Sequence, residues 1–449
     1  MTGLQDVSGV ALQEILRRAP RRYRMPDLPA MLAQARGAGD DTVLAFAIES
    51  ARLAKMQGRE PDAALAGAFT DALAAVIRRA MDLETGDPAF QAQVLQARDA
   101  QVQAWVQLSA QAAGDERSVR MAVDAVAHPG KLRAMPEGPE RQALQALHAQ
   151  ACAGEWHALA SKVSSTGAPA GLGVQKLAAS PALRRLLEAR GLRSSDAVRQ
   201  YLALRARHAP DAGSAAALDQ GRASAREGEL TERAAAAALA GVAAFLDART
   251  SARHRVVQGL RTPGHLTGAG GEGAKEEWDA AILRQVGDGT EALVLLAEAK
   301  AAPAAATNDL PRLLRGLAQL SAADPQAVHD FRSAGGALRL RGESLRALQP
   351  VEGALPAQVI YLCTAPAEAR VPPLGAAARA RLMAEAASLK FAIGVEAGAA
   401  PSAEELAPVW EAVLNEDCMR SVLAQYDTTR RAREAMLHPD DLQAAARED

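Results

Sequence analysis

The chain has 449 residues, a net charge of −2 and only 3% aromatic residues, so two or three domains with aliphatic, alanine-rich and mainly helical cores are expected. The near-neutral balance, with a pI near 6.5, excludes a molecule-wide attraction to nucleic acid, and any such binding has to come from local patches. Cys152, Cys363 and Cys418 are too scattered for a CxxC pair or a disulfide framework, MTGLQDVSG lacks the charge and apolar run of a secretory signal, and no apolar run reaches a membrane span, which points to a cytoplasmic protein away from the membrane.

Residues 1–212 read as an all-helical domain. Ser8 to Arg18, Asp40 to Lys55, Pro61 to Met81 and Pro88 to Ala113 carry apolar residues at helical spacing with Gly or Pro near their ends, and Asp40 and Asp41 suit a helix cap. Further faces begin at Leu183, Leu186 and Leu187 and at Val198, Tyr201 and Leu202. Such a domain serves to select a substrate or a protein partner. Its densest basic cluster is Arg17, Arg18, Arg21, Arg22 and Arg24, around Tyr23. It reads either as a phosphate contact or as a solvated helix end favoured by the C-terminal dipole. His128, His148, His157 and His208 lack metal-ligand spacing, and Trp156 reads as a core anchor.

Pro210 to Gly213 reads as a linker, and the character of residues 213–449 changes. A helix is expected from Thr231 to Ala248, a strand from Arg253 to Leu260, then the glycine-rich loop RTPGHLTGAGGEG. Gly268, Gly270 and Gly273 fit GxGxxG, but seven residues separate them from the strand and no apolar helix follows, so a dinucleotide site is disfavoured and a flap over a neighbouring site fits better. His265 is the flap residue that could reach that site. Strands follow at Trp278 and at Leu293, then a helix from Asp309 to Leu320 capped by Thr307 or Asn308. The strand QVIYLCT, Gln358 to Thr364, lies between Pro356 and Pro366. Arg339, Arg341 and Arg346 make a modest basic region. Leu374 to Glu385, Ala403 to Leu414 and Met419 to Met436 read as closing helices, and the polar residues from His438 as a fraying end.

The chemistry concentrates in WDAAILRQVGDGTEALVLLAEAK, Trp278 to Lys300. Val294 to Ala297 form a buried strand, so Glu298 and Lys300 point to one face, about 6 to 7 Å apart along the strand. Two charges on one face at the end of a buried strand need a counter-charge, because desolvating either alone is costly. An antiparallel turn at Gly287-Asp288-Gly289 would bring Asp279 beside Glu298. The alternative is a structural ion pair, Lys300 with Glu298.

Asp279 followed by Glu298-Ala299-Lys300 resembles the signature of the PD-(D/E)xK nuclease superfamily, with Trp278 where the family has proline; the likeness covers residues 226–366. It implies a restriction-endonuclease-like α/β domain with an α-β-β-β-α-β core, behind a mainly α N-terminal half and followed by closing C-terminal helices. It also implies a metal-dependent phosphodiesterase acting on DNA or possibly RNA. Asp279 and Glu298, with the Ala299 carbonyl, would hold Mg²⁺ or Mn²⁺, and Lys300 would orient the attacking water. Glu232 matches a further acidic position, with Glu229 nearly as well placed, and Arg312 and Arg315 would contact nucleic-acid phosphates or form a solvated helix face. The competing reading is a non-catalytic helical adaptor with a degenerate nuclease-like domain.

Overall fold

The computed structural model describes residues 3–165, 176–177, 179–208, 215–267, 271 and 273–447. The chain is mainly helical and forms two compact units, Met1–Val76 with Gly213–Leu382 and Ser402–Asp449, and Ile77–Ala212 with Met383–Pro401. One of these junctions falls between Ala212 and Gly213. The first 76 residues, however, belong with the sheet-bearing unit and not with a separate N-terminal half. Tyr23 gives the reason: it is buried in the sheet core and its hydroxyl donates to the Cys363 carbonyl at 2.8 Å and lies against the Ala365 carbonyl.

Among the described residues the sheet-bearing unit holds seven strands, β1 (His254–Arg261), β2 (Glu277–Gly287), β3 (Thr290–Lys300), β4 (Val328–Ser333), β5 (Gly336–Arg341), β6 (Val359–Cys363) and β7 (Met436–Leu437). Their order is β2-β1-β4-β5-β3-β6-β7, and β2 also pairs with β3, so the first five strands close on themselves. Both β1 with β2 and β2 with β3 are antiparallel, whereas β6 runs parallel to β3. The turn between β2 and β3 depends on its glycines. Gly287, Asp288 and Gly289 take φ of 108°, 49° and 71°, a left-handed run that side chains with a Cβ resist at successive positions.

The sheet is covered on both faces. Ala238, Leu239 and Val242 of the Ala215–Arg249 helix pack with Leu12 and Leu442 over Ile282, Leu295, Ala297 and Ile360. On the other face, Leu310, Leu313 and Leu317 of the Pro303–Ser321 helix pack over Ala281, Leu296 and Tyr361. The Ile77–Ala212 unit has cores of its own, around Val119, Val123, Leu147, Leu159 and Leu183 and around Leu95, Val102, Val198 and Tyr201. Buried Asp115 there accepts from the Arg185 guanidinium, with Nε at 2.9 Å.

Several sequence expectations change. The helix expected from Pro88 to Ala113 is two helices, Pro88–Arg98 and Ala100–Ala127, because the Asp99 carboxylate accepts from the Gln101 and Val102 amides and starts a new N-terminus. Asp40 and Asp41 do not cap their helix. Gly39 is the N-cap, and Asp41 instead pairs with Arg379 at 2.6 Å. Thr307 and Asn308 lie inside the Pro303–Ser321 helix, whose start is set by Pro303 at its first position. Met419 to Met436 is not one helix but short pieces ending in β7. The expected fraying end is ordered over Pro439–Arg447, a helix whose Leu442 and Ala445 are buried and which an Arg22–Asp441 pair ties down. The β4–β5 hairpin was not foreseen. Arg339 and Arg341, read as a basic region, fasten it to the β2–β3 turn through the Asp288 carbonyl at 2.7 Å and the Thr290 hydroxyl at 3.1 Å.

Candidate active site

The hairpin register brings the motif together. Ala280 pairs with Ala297, so the next residues outward, Asp279 and Glu298, come opposite each other. One Asp279 carboxylate oxygen, Oδ2, accepts the Ala299 amide at 2.8 Å, which fixes that side chain across the end of β3. Leu296 faces the Pro303–Ser321 helix, and strand alternation gives Glu298 and Lys300 the same side. On the neighbouring strand Glu298 pairs with Tyr361 and Lys300 with Cys363.

Glu298 has no solvent exposure, and its Oε2 meets two ammonium groups, Lys275 at 2.6 Å and Lys300 at 3.3 Å. Lys300 also reaches Asp309 Oδ2 at 3.3 Å, and the Tyr361 hydroxyl donates to that oxygen at 3.4 Å. The result is an alternating chain of charges, Asp309–Lys300–Glu298–Lys275, with Asp279 beside it. Burial, and then repulsion from Asp279, push the Glu298 carboxyl up to about 8 in spite of the two lysines. Burial opposes the charge of Lys300, but Glu298, Asp309 and Asp279 together overrule it and hold the ammonium above the ordinary lysine range. Tyr361 is raised by burial and by Asp309 and Glu298, which keeps it a protonated donor.

Comparisons with family models, curated proteins and solved structures find no match. The geometry of the side chains therefore carries the functional argument.

Three members of this cluster escaped the sequence reading. Lys275 sits in the run Lys275-Glu276-Glu277 after the glycine-rich loop, a pattern that reads as solvated surface. Its side chain is nevertheless only 9% exposed, because its N–H donates to the Arg312 carbonyl at 3.2 Å and Gly316 leaves room for its backbone. In the sequence Asp309 reads as a helix start and Tyr361 as part of an apolar strand. The one available signal was that strand β6 places a hydroxyl-bearing residue in register with Glu298. Trp278, in the position of the family's proline, is fully buried, and its indole donates to the Thr262 hydroxyl at 3.2 Å.

Other candidates lie elsewhere. Glu232 is exposed on the Ala215–Arg249 helix, which packs on the sheet face opposite Glu298. The residue that this helix turns inward is Thr231, whose hydroxyl lies 2.8 Å from that of Thr364. Glu229 pairs with Arg233 at 2.5 Å. Arg312 is exposed, and Arg315 donates to the Gly273 carbonyl at 3.1 Å, so the guanidinium of Arg315 holds the loop end. His265 contacts His329 at 3.0 Å and not the acidic cluster. Gly268 and Gly270 lie outside the described residues. In the arginine cluster Arg21 donates to the Leu16 and Glu434 carbonyls and Arg22 pairs with Asp441, so both act as structural ties.

Among the described residues no group of three or more His, Cys, Asp or Glu side chains forms a metal site. The donors that suit a hard cation are the two carboxylates of Asp279 and Glu298, with the Ala299 carbonyl at the same strand end. Glu298 Oε1 is buried without a hydrogen-bond partner, which is the feature that a cation would relieve. Magnesium usually keeps several waters and is bound through one or two carboxylates together with substrate oxygens, and these two carboxylates are the donors that the cluster offers.

Proposed function

We propose that the protein is a metal-dependent phosphodiesterase acting on DNA, or alternatively RNA, built on a restriction-endonuclease-like core and working in the cytoplasm. The observation that carries this reading is the convergence of Asp279, Glu298 and Lys300 from two neighbouring strands: Asp279 lies opposite Glu298, Lys300 meets Glu298 Oε2 at 3.3 Å, and the other oxygen, Oε1, is buried without a hydrogen-bond partner. Support also comes from the element order: a helix, β1, β2 and β3, a helix and later β6, with the β4–β5 hairpin inserted before β6.

Asp279 and Glu298 would hold Mg²⁺ or Mn²⁺ with the Ala299 carbonyl. A divalent ion bound there supplies a lowered pKa for water and neutralises charge on the phosphate. This chain's own contribution is positioning. The Ala299 amide orients Asp279, while Asp309, itself held by the Tyr361 hydroxyl, orients Lys300. Lys300 stays protonated and would steer the attacking water and stabilise negative charge as the ester P–O bond breaks. The Ile77–Ala212 unit would select the substrate or a protein partner.

One observation favours a second reading, a non-catalytic adaptor with a degenerate nuclease-like unit. Glu298 already has two ammonium partners, and two acidic side chains are fewer than many metal sites use. Incubation with Mg²⁺ or Mn²⁺ and a panel of DNA and RNA substrates separates the readings. Cleavage that disappears in Asp279→Ala, Glu298→Ala and Lys300→Ala supports the phosphodiesterase; cleavage that survives all three removes this site from it.

A further inference from the structure

We infer that Lys275 competes with a divalent cation for Glu298, and that it therefore sets the ion affinity of the site as a positioning residue. This rests on the phosphodiesterase reading and concerns the same carboxylate. Lys275 Nζ lies 2.6 Å from Glu298 Oε2, closer than Lys300, in a setting where the lysine is 9% exposed and the glutamate not at all. A cation bonded to that carboxylate would lie a few ångströms from the ammonium in surroundings that screen charge poorly. The two positive charges exclude each other.

The backbone beneath Lys275 is fixed, so the exchange falls to its four-carbon side chain. The Lys275 N–H donates to the Arg312 carbonyl at 3.2 Å, and Arg315 holds the Gly273 carbonyl at 3.1 Å. At Gly316 a Cβ would come 2.7 Å from the Lys275 carbonyl oxygen and 2.9 Å from its Cβ, so the helix can lie this close to the loop end only because residue 316 is glycine. Lys300 differs in having a second anchor, Asp309, at 3.3 Å. Among the described residues Lys275 has one carboxylate partner, Glu298, whereas Lys300 has two, so Lys275 can leave without stranding another of these charges. The Pro303–Ser321 helix thus holds one lysine firmly through Asp309 and presents the other through its mid-helix backbone. The first stays for chemistry, and the second yields to the ion.

The test is calorimetric titration of Mn²⁺ into the full-length wild type, Lys275→Met and Lys275→Arg, without substrate. Removing the competing charge in Lys275→Met tightens Mn²⁺ binding by on the order of tenfold or more, and Lys275→Arg, which keeps the charge, stays near the wild type. A lysine with only a packing role would give the reverse, a weaker site in Lys275→Met. Should Lys275→Met fail to fold, Lys275→Gln carries the same expectation. Wild-type binding with unchanged or weakened affinity in the neutral variants overturns the inference alone. No Mn²⁺ binding in any of these proteins overturns the metal reading and this inference together.

Discussion

Replacing Glu298 by glutamine isolates the cost of burying this carboxylate. Burial and Asp279 raise the group from 4.5 to about 8 in the folded protein. Between those values the folded state keeps a proton that the unfolded chain has released, so wild-type stability must fall as pH rises through this window. A shift of one pH unit corresponds to about 1.4 kcal/mol, so the loss is about 1 kcal/mol at pH 5 and about 3 kcal/mol at pH 7, nearly complete just above pH 8. Glutamine has no such proton. Glu298→Gln should therefore gain about 3 kcal/mol on the wild type between pH 5 and pH 8, in a chelating buffer. Because the chain forms two compact units, the measurement should follow the unit that holds Glu298, by hydrogen exchange of the β3 amides across this range. Titrating groups that do not interact with Glu298 cancel in the difference between the two proteins. A difference that stays constant from pH 5 to pH 8 would refute the reasoning, since it would mean that Glu298 ionises as an ordinary carboxyl in the fold.

Two further substitutions probe the frame around the site. Tyr23→Phe removes the hydroxyl that donates to the Cys363 carbonyl at the end of β6, and should cost about 1 to 2 kcal/mol in denaturant unfolding. An unchanged midpoint would show that water replaces the hydroxyl there. Gly316→Ala drives a methyl against the Lys275 carbonyl and the Trp278 ring, both 3.0 Å or less from the new carbon, and should cost about 1 to 3 kcal/mol. Its intrinsic tryptophan emission should change as well, and a variant as stable as the wild type would contradict the close packing of helix and loop.

The motif residues were legible because their placement follows from local rules. Strand alternation puts Glu298 and Lys300 on one face, and the Gly287-Asp288-Gly289 turn fixes the register that carries Asp279 across. The helical character of the chain followed from its composition in the same way. What stayed hidden depends on contacts distant in sequence. Lys275 is buried by a helix about forty residues further on, through Gly316, and nothing near Lys275 marks it as internal. Glu232 failed for a rotational reason: one position along the helix turns a side chain by about 100°, and Thr231 took the inward place. The β4–β5 hairpin escaped because its alternating leucines and arginines, Leu338 to Arg341, resemble a basic patch as much as a strand. Residues 1–76 looked like the start of a separate helical domain. Contacts with residues more than 300 positions away, among them the Tyr23 and Arg22 ties, and the packing of Leu12 over the sheet assign them to the sheet-bearing unit.

Three carboxylates and two lysines within one packed cluster are costly as structure alone, since well-packed apolar residues replace buried ion pairs at little or no loss of stability. For an adaptor, burying the Glu298 carboxyl would lower stability at neutral pH with no return. A cation site has a use for it, because the destabilised carboxylate is the one that gains most from a divalent partner. The two readings therefore diverge in the sign of one measurement. At pH 8, Mn²⁺ at a hundred times its dissociation constant should stabilise the wild type by about 2.7 kcal/mol, while Glu298→Gln should respond little. Equal response of both proteins would place the ion elsewhere, and no response in either would leave the five groups as a structural network with Lys275 and Lys300 as the counter-ions of Glu298.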